Sequence, residues 1–343
     1  MTKPLAIGIR LPPCEPADVV AEAALRAESL GFDQIYVPDS QVLWRDSYLT
    51  LFACALKTST ITLSTAVTNV VTRHPSVIAS LTRTIAEVSN GRFQLGLGVG
   101  NSSVEPVGLR PSTQADMRDG IATIRALLNG EAVDFDGVST WMRDPFPGVP
   151  IHMAASGPRN LKLAGEIADG AILLSGISPE TLSRSAALVR AGALEGGRDA
   201  STVMLTVSTY CHVTNDVERD ARMLKPICAG IAQNGGRAAL ELAGINIDVP
   251  PRVPGVYPDL VHAEDWGLAV EKCSEWVSDD DAVAFANAFC LFGDAEHIAR
   301  GLRTAQSAGA TSVFLQHVGS YTLPYPLMEE FSHQVMPLLE IAT

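Results

Sequence analysis

The chain has 343 residues, 47% hydrophobic and 18% charged, enough to bury a large core and matching either two medium domains or one (β/α) barrel with insertions. With 25 Lys and Arg against 38 Asp and Glu, its net charge of -13 leaves no basic field to draw nucleic acid or anionic lipid, so the expected partner is a small molecule. The N-terminus shows no signal-peptide pattern and no apolar run approaches a membrane span of roughly 18 residues. Six cysteines lie far apart without a Cys-x-x-Cys pair, which reads as reduced thiols of a cytoplasmic protein rather than disulfides or metal ligands.

In chain order, strands and helices alternate. Leu5 to Arg10 reads as strand one and Pro16 to Leu30 as helix one, stopped by Gly31. Ile35 to Asp39 is strand two, Tyr48 to Lys57 helix two, Ile61 to Val67 strand three, and Pro75 to Ser89 helix three, with proline at its first position. Phe93 to Gly98 is strand four and Thr113 to Leu128 helix four; 131–148 is a small excursion, read as a hairpin of Val133 to Phe135 with Thr140 to Met142. Ile151 to Ala155, Ala171 to Leu174 and Val203 to Val213 are strands five to seven, with helices Pro158 to Ile167 and Pro179 to Leu194 between them. The stretch 216–292 reads as a long helical insertion, after which come a helix (Asp294 to Ala308), strand eight (Ser312 to His317) and a closing helix (Pro326 to Leu339). Eight strands alternating with helices predict one domain, a (β/α)8 TIM barrel with insertions, the longest between strands seven and eight. An open doubly wound sheet is the alternative, and the count of eight favours the barrel.

Ligands of such folds bind at the carboxyl ends of the strands. Thr68 and Asn69, where strand three turns polar, and Gly96, Gly98 and Gly100 after strand four are therefore expected to wall a site. The glycine spacing does not fit the dinucleotide fingerprint; small residues here either let a flat ring lie against the strand end or serve close packing. No cluster has metal spacing, so no metal is expected.

Together the motifs resemble the bacterial luciferase-like superfamily, and within it the branch of deazaflavin (coenzyme F-420) dependent reductases. They are Val37-Pro38-Asp39-Ser40 with Trp44-Arg45-Asp46, Ala66-Val67-Thr68-Asn69 with Thr72-Arg73-His74-Pro75, Ser89-Asn90-Gly91-Arg92 into Gly96-Leu97-Gly98-Val99-Gly100, and Ala154-Ala155-Ser156-Gly157-Pro158 with Ala168-Asp169-Gly170. The resemblance implies a non-proline cis bond within Thr65 to Val67 behind the ring, with Thr68 and Asn69 on the ring's polar edge. Ala155, Ser156, Gly157 and Pro158 would receive the phosphate at a helix start, where free N–H groups favour an anion, seconded by Gly176 and Ile177; the alternative is an ordinary helix cap. Asp39 and Trp44 are the leading candidates for the chemistry, Asp39 alternatively being a capping or salt-bridged acid. Ser40 and Asn101, expected with Asp39 and Val67 among the cofactor-binding residues, stand where sugar-phosphate dehydrogenases of this branch carry a histidine and a glutamate, so sugar-phosphate oxidation is not expected. His317 ends strand eight and His212 lies late in strand seven, so either can face the mouth as acid or clamp; the alternative is a hydrogen-bonded bystander.

The implied activity is hydride transfer between coenzyme F-420 and a small organic substrate, reducing a C=C, C=N or carbonyl group. An FMN-dependent monooxygenase is the first alternative. Val99, Gly100 and Asn101 offer no cation where luciferases bring an arginine to the FMN phosphate, which favours the deazaflavin. A non-catalytic cofactor-binding member of the superfamily is the second alternative. A homodimer is implied as well.

Overall fold

The architecture follows from the apolar runs, and the computed structural model describes residues 5–340. In chain order the elements are β1 (Ala6–Arg10), α1 (Ala17–Ser29), β2 (Gln34–Val37), α2 (Ser47–Lys57), β3 (Thr62–Thr65), α3 (Pro75–Val88), β4 (Phe93–Leu97) and α4 (Gln114–Leu128). A hairpin of β5 (Val133–Phe135) and β6 (Val138–Thr140) precedes β7 (Ile151–Ala155), α5 (Pro158–Ile167), β8 (Gly170–Leu173), α6 (Pro179–Glu195) and β9 (Met204–Val213). The long insertion contributes α7 (Val217–Asp220), α8 (Lys225–Gln233), α9 (Arg237–Leu242), α10 (Trp266–Cys273), α11 (Asp279–Phe289) and β10 (Leu291–Gly293). The chain returns through α12 (Ala295–Ser307) and β11 (Ser312–Gln316) to α13 (Tyr325–Glu330) and α14 (Met336–Glu340).

Parallel pairing runs β1-β2-β3-β4-β7-β8-β9-β11, and β11 pairs back onto β1, so eight strands close the expected (β/α)8 barrel. Residues alternate across the wall. Ile7, Ile9, Ile35 and Leu63 face the helices in the main core, whereas Tyr36, Ala154, Ile172 and Phe314 fill the lumen, with Tyr36 stacked on Phe314 at 4.3 Å. Toward the amino ends of the strands the lumen is polar, and His152 Nε2 is buried there without a hydrogen-bond partner among the described residues. Gln94 bonds His152 at 2.9 Å and Thr206 bonds Ser312 at 2.7 Å; burial pushes the His152 pKa down to about 4.

Two quoted motifs are structural in what they touch. Arg92 donates to the carbonyls of Ala55, Thr58, Ile61 and Ser89, fastening β3 to β4. Asp169 accepts the Ile151 N–H at 2.9 Å and pairs with Arg125 at 2.9 Å.

Three local expectations are corrected. The hairpin's second strand begins at Val138 rather than Thr140, because Asp136 and Gly137 both have positive φ (52° and 87°) and turn the chain in two residues. An unexpected strand, β10, pairs Leu291, Phe292 and Gly293 with Cys211, His212 and Val213. The ten residues of β9 outrun β11, whose pairing ends at Tyr210, and the surplus backbone groups take a partner from the insertion. The closing helix is broken by a π turn over Phe331–Val335. The insertion has its own apolar core, including Leu224, Ile227, Leu240, Phe285 and Phe292. All six cysteines are free, and among the described residues no helix is long and apolar enough to cross a membrane.

Candidate active site at the barrel mouth

Asp39 lies two residues beyond β2 and is buried. Its Oδ2 accepts from the Thr68 hydroxyl at 2.7 Å and from the Arg73 guanidinium. Arg73 also grips Asp46 at 2.7 Å and lies over the Tyr48 ring at 5.2 Å. Desolvation works against the Arg73 charge, but Asp39 and Asp46 outweigh it and hold the pKa above its ordinary value. The salt-bridged alternative for Asp39 is thus what Oδ2 does. Oδ1, however, is buried with no hydrogen-bond partner. An unsatisfied buried acceptor costs about 1–3 kcal/mol, so this oxygen is suited to a donor brought by a ligand.

The Ala66–Val67 peptide bond is cis, within the three residues where it was expected, and it turns the end of β3 toward β4. Thr68 N–H then bonds the Gly96 carbonyl at 2.9 Å and Gly98 N–H bonds the Thr68 carbonyl at 2.8 Å. The glycines are closely packed in the direction a side chain would take. A Cβ at Gly96 would lie 2.1 Å from the Thr65 carbonyl oxygen, at Gly98 2.7 Å from Val67, and at Gly100 2.4 Å from Val104. The close-packing alternative therefore holds at all three.

Two polar candidates are committed to loop structure. Asn69 Oδ1 accepts from the N–H groups of Val71 (3.0 Å) and Thr72 (2.8 Å), and its Nδ2 donates to Ser103 Oγ at 3.0 Å. It folds its own loop, the turn role open to an Asn after a strand. The Ser40 hydroxyl donates to the Ser102 carbonyl at 2.8 Å, joining the loops after β2 and β4. Asn101 is exposed and reaches Asn234 of the insertion at 3.5 Å.

Trp44 is 8% exposed and donates from Nε1 to the Ser320 carbonyl at 2.8 Å. Two residues not singled out from the sequence pack on it. The Arg10 guanidinium lies 5.3 Å from its ring, and the His262 ring meets it edge-on at 5.4 Å. His262 Nδ1 lies 2.9 Å from Asp259, which fixes the ring and leaves Nε2 without a protein hydrogen bond. Arg10 ends a predicted strand whose inward parity could have drawn attention to it. His262 sits in the insertion, and only folding brings it here.

His317 is buried just past β11, with Nε2 bonded to the Thr322 carbonyl at 2.8 Å and Nδ1 without a partner. The carbonyl requires the proton on Nε2. Burial, seconded by the Arg10 charge, pushes the His317 pKa down to about 3, which favours the neutral ring and the hydrogen-bonded alternative over the acid. His212 is turned away, beside Asp220 at 3.6 Å and Phe292 at 5.0 Å, because the end of β9 belongs to the junction with β10.

Across the mouth, α5 starts at Pro158 with Gly157 as its N-cap and no side-chain cap bond. Ala155 is buried, Ser156 is exposed, and a Cβ at Gly157 would meet nothing within 4 Å. The first helical N–H groups thus lack an internal acceptor, which suits an anion. Gly176 and Ile177 differ. Ile177 and Ser178 N–H groups both bond the Ala288 carbonyl at 3.2 Å, and Gly176, at φ +90°, is packed against Phe289. The Ile177 and Ser178 amides are spent on α11.

The fold is that of a (β/α)8 barrel enzyme, and the chain belongs to the luciferase-like monooxygenase family, whose model matches residues 6–312. It is an oxidoreductase. The chain is 33% identical to the 5,10-methylenetetrahydromethanopterin reductase of Methanolobus tindarius over 71% of its own length and 76% of that protein. It is 36% identical to an F420-dependent glucose-6-phosphate dehydrogenase of Nakamurella multipartita over 47% of its length and 53% of that protein. The solved coenzyme F420 dependent tetrahydromethanopterin reductase of Methanopyrus kandleri shares the fold, with a TM-score of 0.78, 22% identity and coverage of 98% of this chain and 99% of that one.

Proposed function

We propose that this enzyme transfers a hydride between coenzyme F420 and a small organic substrate, reducing a C=C, C=N or carbonyl group. The relatives named as F420-dependent support the coenzyme, and the observation that carries the reading is Asp39 Oδ1, a buried acceptor without a donor at the strand ends. Bound there, the coenzyme would supply the two-electron redox chemistry.

The chain's own residues bind, orient and move a proton. Asp39, held by Arg73 and Thr68, offers its free oxygen to a polar ring edge, and Val67 on the cis turn backs the ring. Ser156, Gly157 and Pro158 at the start of α5 take the phosphate. Trp44 walls the substrate side. His262, oriented by Asp259 against Trp44, is the proton donor, in the role that neither Ser40 nor Asn101 can fill.

Fluorescence titration of the purified protein with F420 and with FMN tests the reading. Micromolar or tighter binding of F420 with weaker FMN binding is the expected result. Tight FMN binding with none for F420 would replace it with the monooxygenase reading that the family's description favours. A homodimer through α2 is supported by Leu49 and Leu56, seven residues apart and each 68% exposed; free, mostly buried thiols support the cytoplasm.

A further inference from the structure

The residue least explained by the barrel itself is Arg10. It closes β1 and is 4% exposed. Gly8, two residues earlier on the same face, abuts the lumenal ring of Tyr36, and the guanidinium turns inward over Trp44 at 5.3 Å. Among the described residues no carboxylate pairs with it and no hydrogen bond satisfies it, in contrast to Arg73, which holds two carboxylates. Its electrostatic neighbours are Tyr210 and Cys14. Burial raises the pKa of both, so each is neutral at neutral pH and neither is a counter-ion. Buried charges are ordinarily paired.

The neighbourhood shows what the missing partner is. Gln316 on β11 is in register with Tyr210 on β9, and the β1–β11 pairing reaches Ile9 with Leu315. Arg10, Gln316 and Tyr210 therefore stand side by side on three adjacent strands. The Gln316 amide is occupied by Ser208 Oγ at 2.9 Å, while the Tyr210 hydroxyl has no hydrogen-bond partner among the described residues and remains a donor beside the guanidinium. One flat cation with a neutral O–H donor matches a single negative charge on a planar group.

Building on the hydride-transfer reading, we propose that the substrate carries a carboxylate, bound by Arg10 and Tyr210 against Trp44, and that Arg10 is the specificity-determining residue of the mouth. A phosphate would bring a second charge that this corner has nothing to meet.

The test uses the full-length protein loaded with F420. Oxidation of reduced F420 is followed with paired substrates: 2-oxo and 2-enoic acids against their methyl esters, with inorganic phosphate as a competitor. Acids turned over at least tenfold better in kcat/KM than their esters, with phosphate not competing, are expected. Equal turnover of acid and ester would overturn the proposal.

Arg10→Met is expected to abolish that preference, leave the F420 dissociation constant unchanged, and melt no lower than the wild type, since it removes an unpaired buried charge. A drop in F420 affinity would make Arg10 a cofactor ligand, and a lower melting temperature with the acid preference kept would make it a packing residue. Either result refutes the proposal. Arg10→Lys, keeping the charge but not the fork, should retain part of the preference.

If the wild type binds no F420, the hydride-transfer reading fails by itself. Tryptophan fluorescence under titration with the same acids and esters then still decides, because Trp44 lies beneath Arg10. A response to the acids alone, lost in Arg10→Met, is the supporting result, and no response to the acids sinks it.

Discussion

Asp39 Oδ1 and His317 Nδ1 are buried at the mouth without a hydrogen-bond partner among the described residues, and each makes a residue-scale prediction. Asp39→Asn keeps the size but weakens the grip of Arg73 and turns one acceptor into a donor. F420 affinity should fall by about tenfold or more, as expected when a buried hydrogen bond to a charged group is lost, and fluorescence titration measures it. His262→Gln should lower turnover by about a hundredfold or more while F420 affinity is kept, the size expected for a general acid. Rescue by added imidazole separates that role from packing on Trp44, since a lost packing contact would not be restored. His317, with its pKa near 3, should contribute no inflection between about pH 5 and 8, and the pH profile of His317→Gln should match the wild type in shape.

Among the elements, the turn from β3 into β4 and the start of α5 respond oppositely to an added methyl group. Gly98→Ala drives a Cβ to 2.7 Å from Val67 and should cost about 1–3 kcal/mol of stability, seen in urea unfolding together with weaker F420 binding. Gly157→Ala meets nothing within 4 Å and its φ of -82° suits alanine. It should leave the melting temperature unchanged while raising the F420 dissociation constant. The α5–α6 crossing is tighter still. Cβ atoms at Gly165 and Gly192 would each lie 1.9 Å from a carbonyl oxygen of the facing helix, so both positions are closed to any side chain without moving a helix.

The whole molecule loses stability in acid, and the sign follows from three groups. His152 and His317 have folded pKa values of about 4 and about 3 against an ordinary 6.5. The unfolded chain therefore takes up protons that the folded one refuses. Their contribution is complete above about pH 6.5 and is lost as pH falls through the folded values. Glu28 adds a later loss. Burial would raise its pKa, but the N–H groups of Thr60, Ile61 and Ser59 outweigh that and lower it to about 2, so its contribution is present above its unfolded value of 4.5 and disappears as pH falls toward 2. The urea midpoint should fall from pH 7 to 4.5, less steeply in His317→Gln. Glu28→Gln should make the loss below pH 4.5 shallower, leaving the share of the two histidines.

The strands and helices of the barrel were legible because each is encoded locally, by apolar runs of strand length, by proline at the first turns of α3, α5 and α6, and by glycine or asparagine after the helices. Motif positions likewise located Asp39, Trp44 and the uncapped start of α5, while the cis turn near Val67 came only from the family resemblance. Tertiary structure decided everything that depends on which groups meet. It spent the polar atoms of Asn69 and Ser40 and the Ile177 N–H on loops and α11, and filled the glycines with Val67 and Val104. It also brought His262 and Asp259 from the insertion onto Trp44 and left Arg10 without a counter-ion. A side chain's hydrogen-bond vacancy and its electrostatic partners arise from contacts far apart in the chain, and no local pattern records them.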